Sequence, residues 1–149
     1  MANYSKDKTD DAYRYAKKTL DINPNDLMAL SNLAYMELTD GAYESAIELY
    51  EKMLSLSSEG KYVGIHTNLA EAYLALSKDT EALKHIQIAE GSDASDFAAY
   101  MYKGEYLRRQ EKLEEAKFAY EKAKEIFPEI VEDAWYQKHF PLLGQSEPH

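Results

Sequence analysis

The sequence predicts an all-α solenoid of antiparallel helix pairs, and three features predict it. Ala12, Ala46, Ala82 and Ala116 recur at offsets of 34, 36 and 34 residues, a period that accommodates one helix, a turn and a second helix. Four residues after each alanine stands Ala16, Tyr50, Ile86 or Tyr120, and three further on Thr19, Met53, Ala89 or Ala123. Spacings of four and three place these residues on one side of a 3.6-residue helix, where small ones admit a neighbouring helix and large ones fill the gap. A second periodic set, Leu33-Ala34, Leu69-Ala70 and Lys103-Gly104, precedes them at offsets of 36 and 34, so each unit holds two helices.

The elements follow in order. A first helix is expected over 9–22, ending before Asn23-Pro24-Asn25-Asp26, because proline cannot continue a helix yet is tolerated in the first turn of the next. The second, over 27–39, stops at Asp40-Gly41, where Gly41 can take the left-handed conformation that reverses the chain. The third covers 43–56. Between it and the fourth, over 62–76, Ser57-Ser58-Glu59-Gly60-Lys61 carries the two extra residues that lengthen one period to 36, a cost that a loop absorbs easily. The turns Ser77-Lys78-Asp79 and Gln110-Glu111-Lys112 lack glycine, but their lengths match the first turn and Asp79 is a fair N-cap. They lead into a fifth helix over 79–91 and, after a sixth over 95–110, a seventh over 113–126. Phe127-Pro128-Glu129 marks the last boundary. An eighth helix over 130–139 contains Ala134-Trp135-Tyr136-Gln137-Lys138 and is stopped by Pro141. Of the 13 tyrosines, Tyr35, Tyr43, Tyr50, Tyr73, Tyr100, Tyr106 and Tyr120 sit in helix-period contexts and read as fillers between helices rather than strand residues.

Composition narrows the function classes. With 149 residues, 45% hydrophobic and 30% charged, the chain suits one short solenoid domain and has enough apolar residues to avoid disorder. A net charge of -10 disfavours nucleic acid and anionic lipid, which need clustered Lys and Arg. No stretch approaches the roughly 18 apolar residues of a membrane span. The start, Met1 to Asp11, is polar rather than leader-like, so neither targeting nor a membrane partner is expected. The absence of cysteine removes disulfides and thiolate sites together; it leaves the compartment open, and a cytoplasmic location is favoured.

The chemistry of catalysis is missing from the pattern. There is no glycine-rich phosphate loop. His66, His85, His139 and His149 include no pair at three or four spacing, as a helical metal site would have. The carboxylates of Glu111 to Glu115 and Asp7 to Asp11 alternate with lysines and read as solvated helix faces. No enzymatic activity, cofactor or metal is expected.

These units resemble the tetratricopeptide repeat: about 34 residues, a Leu-Ala or similar step on the first helix, Ala-x3-aromatic-x2-Ala on the second, and proline at the end. Residues 27–60 match best, through Leu30, Leu33, Ala34, Gly41, Tyr43, Ala46, Tyr50, Met53, Leu54 and Leu56, with Ser58 where the family has proline. Residues 63–96 carry Asn68, Leu69, Ala70, Ala72, Tyr73, Ala82 and Ala89. Residues 97–130 carry Tyr100, Gly104, Leu113, Ala116, Tyr120, Ala123, Ile126 and Pro128. Lys103, Glu37, Leu107 and His66 depart from the family's residue types without breaking its packing logic. The resemblance implies a single domain over 1–149, a right-handed superhelix of about three and a half repeats. Residues 9–26 are a truncated first repeat, 131–140 a capping helix and 141–149 a disordered tail. Because a full first repeat would begin before Met1, the chain is expected to be a fragment of a longer protein.

In such solenoids the first helix of each pair lines a concave groove that holds a peptide or partner segment. The resemblance maps the groove to Met28, Ser31, Asn32 and Tyr35, then Asn68 and Glu71, then Met101, Tyr102, Glu105 and Arg108, with Trp135, Tyr136 and His139 extending it. Asn32 and Asn68 hold equivalent places, where an amide can grip a peptide backbone. Tyr35, Met28, Met101 and Tyr102 offer adaptable apolar area. The basic places with which relatives clamp a chaperone's terminal carboxylate are here Ser31, Ala98 and Tyr102, so that mode is disfavoured. The expected function is protein-protein interaction, with another protein or peptide as partner. The alternative is a self-assembling module, a homo-oligomer stacked through its repeat ends.

Overall fold

A computed structural model describes residues 2–57, 63–92 and 97–140, and the side chains of these except residues 2–8, 63, 92 and 135. Among the described residues the chain is all helix and turn, without a strand. The helices are α1 (Ala2–Ile22), α2 (Leu27–Thr39), α3 (Tyr43–Leu56), α4 (Val63–Ala75), α5 (Asp79–Ser92), α6 (Phe97–Arg109), α7 (Leu113–Ile126) and α8 (Ala134–His139). The pairs α2 and α3, α4 and α5, and α6 and α7 pack most closely, and each pair then packs on the next. The expected boundary loop over 58–61 and the expected disordered tail over 141–149 lie outside the described residues.

Local chemistry explains the boundaries. Asp26 caps α2 by accepting a hydrogen bond from the Ala29 amide at 2.9 Å, and Asn25 N donates to Asn23 Oδ1 at 3.2 Å within the preceding turn. Gly41 is left-handed, with φ of 83°. The two turns without glycine adopt the same conformation, Ser77 at φ 58° and Glu111 at φ 61°. All three repeat one hydrogen-bond pattern: Ala42 N donates to Glu37 O at 2.8 Å, Lys78 N to Tyr73 O at 2.8 Å and Lys112 N to Leu107 O at 2.9 Å. This six-to-one bond closes a helix with a left-handed residue.

The small and large residues of the repeat meet as their spacing requires. Ala46, Ala82, Ala116, Ala89 and Ala123 are fully buried, with Tyr50, Ile86 and Tyr120 almost so. One core joins Leu30, Ala34 and Leu38 of α2 to Tyr50 and Met53 of α3 and Ile65 and Leu69 of α4. A second joins Met101 and Leu107 to Tyr120, Ile130 and Phe140. Arg109, at the end of α6, ties the repeats together: it donates to the Leu74 carbonyl and to Ser77 Oγ, the latter at 3.0 Å, and pairs with Asp79 at 3.2 Å.

Two boundaries differ from expectation. The first helix begins at Ala2 rather than at residue 9. The last is not continuous over 130–139: a 3₁₀ turn, Pro128–Glu132, is followed by extended Asp133 and only then by α8. The physical reason is Ile130, fully buried in the second core, which the tight turn after Pro128 drives inwards. Asp133 then restarts the helix, its carboxylate accepting from the Tyr136 amide at 3.3 Å.

Candidate functional site

A groove lies along α2, α4 and α6, with residues of α8 contributing to its lining. It has a volume of about 650 Å³ and is lined by Tyr35, Leu38, Thr39 and Tyr43, by Thr67, Asn68 and Glu71, by Ala98 and Tyr102, and by Asp133, Tyr136 and His139. Four tyrosines thus share the lining with the half-buried carboxylate of Glu71. Burial raises the Glu71 carboxyl above its ordinary value, while a hydrogen bond from Tyr102 and the nearby His139 oppose that rise. Burial, together with the Glu71 charge, holds the Tyr102 phenol well above its usual range, so it stays a donor. Asn68 donates to the Tyr50 hydroxyl at 3.1 Å, which fixes the amide's orientation on the groove wall. Burial pushes the Tyr50 hydroxyl up to about 12.

Of the residues expected in the groove, the fold brings Tyr35, Asn68, Glu71 and Tyr102 together. Met101 is fully buried in the second core and lies beneath the groove rather than on it. Glu105 is held by Arg108, with Nε to Oε2 at 2.9 Å, and by the Tyr120 hydroxyl at 3.3 Å. These two charges satisfy each other away from the groove lining. Ser31 is exposed on α2 and does not line it.

Met28 and Asn32 belong to a second groove, between α1 and α2. It has a volume of about 540 Å³ and is lined by Ala12, Tyr15, Ala16, Thr19, Asp26, Met28, Ala29, Asn32, Tyr35 and Met36. Tyr35 therefore stands on the ridge between the two grooves. Tyr15 and Met28 are each 76% exposed.

The histidine spacing missed a pair. His66 on α4 and His85 on α5 face each other with Nδ1 atoms 3.0 Å apart, Tyr73 stacks on His85, and His85 Nε2 is 3.6 Å from Glu51. Burial lowers both imidazoles below their ordinary value. A separation of 19 residues is invisible to a search at helical spacing, although the repeat register places both residues at the junction of α4 and α5.

Among the described residues no helix is long and apolar enough to cross a membrane. A comparison with curated proteins finds no match. Several solved structures share the fold. MamA superposes with a TM-score of 0.73 at 22% identity, covering 96% of this chain and 85% of its own. TTC0263, a thermophilic TPR protein of Thermus thermophilus, gives 0.71 at 20% identity over 93% and 78%. YrrB, described as a TPR protein with an unusual peptide-binding site, gives 0.67 at 20% identity over 87% and 66%. Two models of the tetratricopeptide repeat match residues 2–60 and 97–130, in phase with the observed helix pairs, and the chain belongs to the tetratricopeptide repeat family.

Proposed function

We propose that the chain is a non-catalytic interaction module that holds a segment of another protein in the concave groove. The observation that carries this reading is the lining itself: four tyrosines, contributed by α2, α3, α6 and α8, in one groove with the carboxylate of Glu71, which Tyr102 touches. Tyrosine supplies large, rigid contact area with a polar tip at low entropic cost. A half-buried carboxylate beside it selects a Lys or Arg on the incoming segment, since a cation there relieves the cost of burying the charge. The matching segment is therefore apolar or aromatic with a basic residue next to it. The peptide-binding site named for YrrB is consistent with such use of this fold.

The alternative of head-to-tail self-stacking finds less support among the described residues, where Ile130 and Phe140 are buried in the second core. Selection of binders from a random peptide library, followed by affinity measurement, tests the groove. Selected peptides are expected to be enriched in a basic residue beside an apolar one and to lose at least about tenfold in affinity on Thr39→Arg/Glu71→Gln. Peptides that bind this variant as well as the parent would overturn the assignment.

A further inference from the structure

We propose that His66 and His85 form a proton-operated latch between α4 and α5, which stays shut while their facing nitrogens share a single proton and opens when both carry one. The Nδ1 atoms are 3.0 Å apart, and the ring planes lie 26° from parallel with centroids 5.3 Å apart. The centroids are further apart than the nitrogens by no more than the two ring radii, so the Nδ1 atoms meet head-on along one line. A metal ion on that line would hold the nitrogens roughly 4 Å apart, since each bond is about 2 Å. The contact has room for a proton only.

Glu51 decides which ring owns that proton. Its Oε1 lies 3.6 Å from His85 Nε2, and a carboxylate there favours the tautomer with the proton on Nε2. His85 Nδ1 is then the acceptor and His66 Nδ1–H the donor, which leaves a lone pair on His66 Nε2. The first proton taken up goes to that lone pair and strengthens the bond, because its donor is now charged. A second has to enter at His85 Nδ1, directly opposite the His66 N–H, where the hydrogen bond is lost and two cations meet. His85 is 6% exposed, so water screens that repulsion poorly.

The neighbouring charges are few. Lys84 of α5 adds to the repulsion and Glu51 of α3 opposes it. Tyr73 of α4 lies nearly parallel to His85 at 5.6 Å and donates its hydroxyl to Glu51 at 3.4 Å, while Glu81 of α5 acts on Tyr73. From α6, Lys103 pairs with Glu90 at 2.7 Å and Arg109 with Asp79 at 3.2 Å, so those cations are neutralised within their own pairs. Burial leads in holding both imidazoles below their ordinary value. The latch is therefore shut above that value and opens as pH falls through the lower folded values. Packing alone does not call for imidazoles here: the register puts Leu30 and Leu49 at these two places one repeat earlier, and Tyr100 and Ala119 one repeat later. Because α4 also carries Thr67, Asn68 and Glu71 of the groove, opening reaches a bound segment. That consequence rests on the groove reading, whereas the latch is tested without a partner.

Two measurements on the full chain test it. Long-range ¹H–¹⁵N spectra near neutral pH are expected to show His66 with its proton on Nδ1 and His85 with its proton on Nε2; any other pair of tautomers would overturn the proposal. Amide protection in α4 and α5 is expected to fall at least about tenfold more than in α7 between about pH 7.5 and about pH 5, one proton taken up over one pH unit being worth about tenfold. His66→Asn places an amide where Nδ1 stood, which donates to neutral His85 and, turned over, accepts from the cation. In this variant α4 and α5 are expected to track α7, and His85→Asn, the mirror change, supplies the same comparison if the first variant does not fold. An equal loss in all three helices of the parent, or a loss in α4 and α5 that persists in the variants, would equally overturn the latch. The tautomer spectra need no variant and decide the matter if neither folds.

Discussion

At the residue scale, the molecule rests on complementary sizes at register-equivalent places. Gly104 is glycine because the Tyr120 ring occupies the space of its Cβ, and the repeat before it solves the same contact with Ala70 and Ile86. Gly104→Ala is therefore expected to destabilise the fold by about 2 kcal/mol through overpacking, and adding Tyr120→Ile is expected to recover much of that loss in a denaturant double-mutant cycle. His66 and His85 carry a second consequence. Their folded values lie below the ordinary imidazole value because burial disfavours the cation. The unfolded chain thus takes up protons first as pH falls. Stability is full above the unfolded value near 6.5 and declines as pH drops through the lower folded values. His85→Phe is expected to flatten that part of the profile of melting temperature against pH, whereas an unchanged slope would locate the proton uptake elsewhere.

At the element scale, the three turns inside the helix pairs share one backbone geometry although only one of them has glycine. Ser77 and Glu111 hold positive φ at a cost of about 1 kcal/mol each, and the six-to-one hydrogen bonds and the packing of the flanking helices impose it. Glu111→Gly is expected to raise stability by about 1 kcal/mol, read as a shifted urea midpoint at constant slope. Ser77→Gly gains less, because Ser77 Oγ accepts from Arg109 at 3.0 Å. The last element illustrates the opposite balance. Helical periodicity continues through 130–139, but burying Ile130 is worth more than the first helical turn, and a 3₁₀ turn replaces it.

At the scale of the whole molecule, each repeat touches only its neighbours, so its ends govern its behaviour. The second core includes Phe140, 3% exposed and in ring contact with Tyr102, Tyr120 and Tyr136. Phe140→Ala is expected to cost about 3 kcal/mol and to speed amide exchange in α6–α8 more than in α2 and α3. Uniform acceleration would instead mean that the solenoid unfolds as one unit. The same change loosens Tyr102, a wall of the concave groove, and so links the cap to partner affinity.

The sequence by itself determined the repeat, the number and pairing of the helices and which faces are apolar, because a period of 34 to 36 residues with small and large residues at fixed spacing admits one way of burying them. Tyr35, Asn68, Glu71 and Tyr102, which the family resemblance maps to a groove, line one cavity. What only the tertiary structure decided was which neighbour each side chain meets. Met101 sinks into the core because Phe140 and Ile130 cover that side of α6, while Glu105 and Arg108 neutralise each other through contacts that a helical pattern leaves open. His66 and His85 pair across two helices, and Met28 and Asn32 fall in a different groove from Asn68. Periodicity specifies the direction of a residue on its own helix, whereas burial and charge depend on what the adjacent helix puts opposite it.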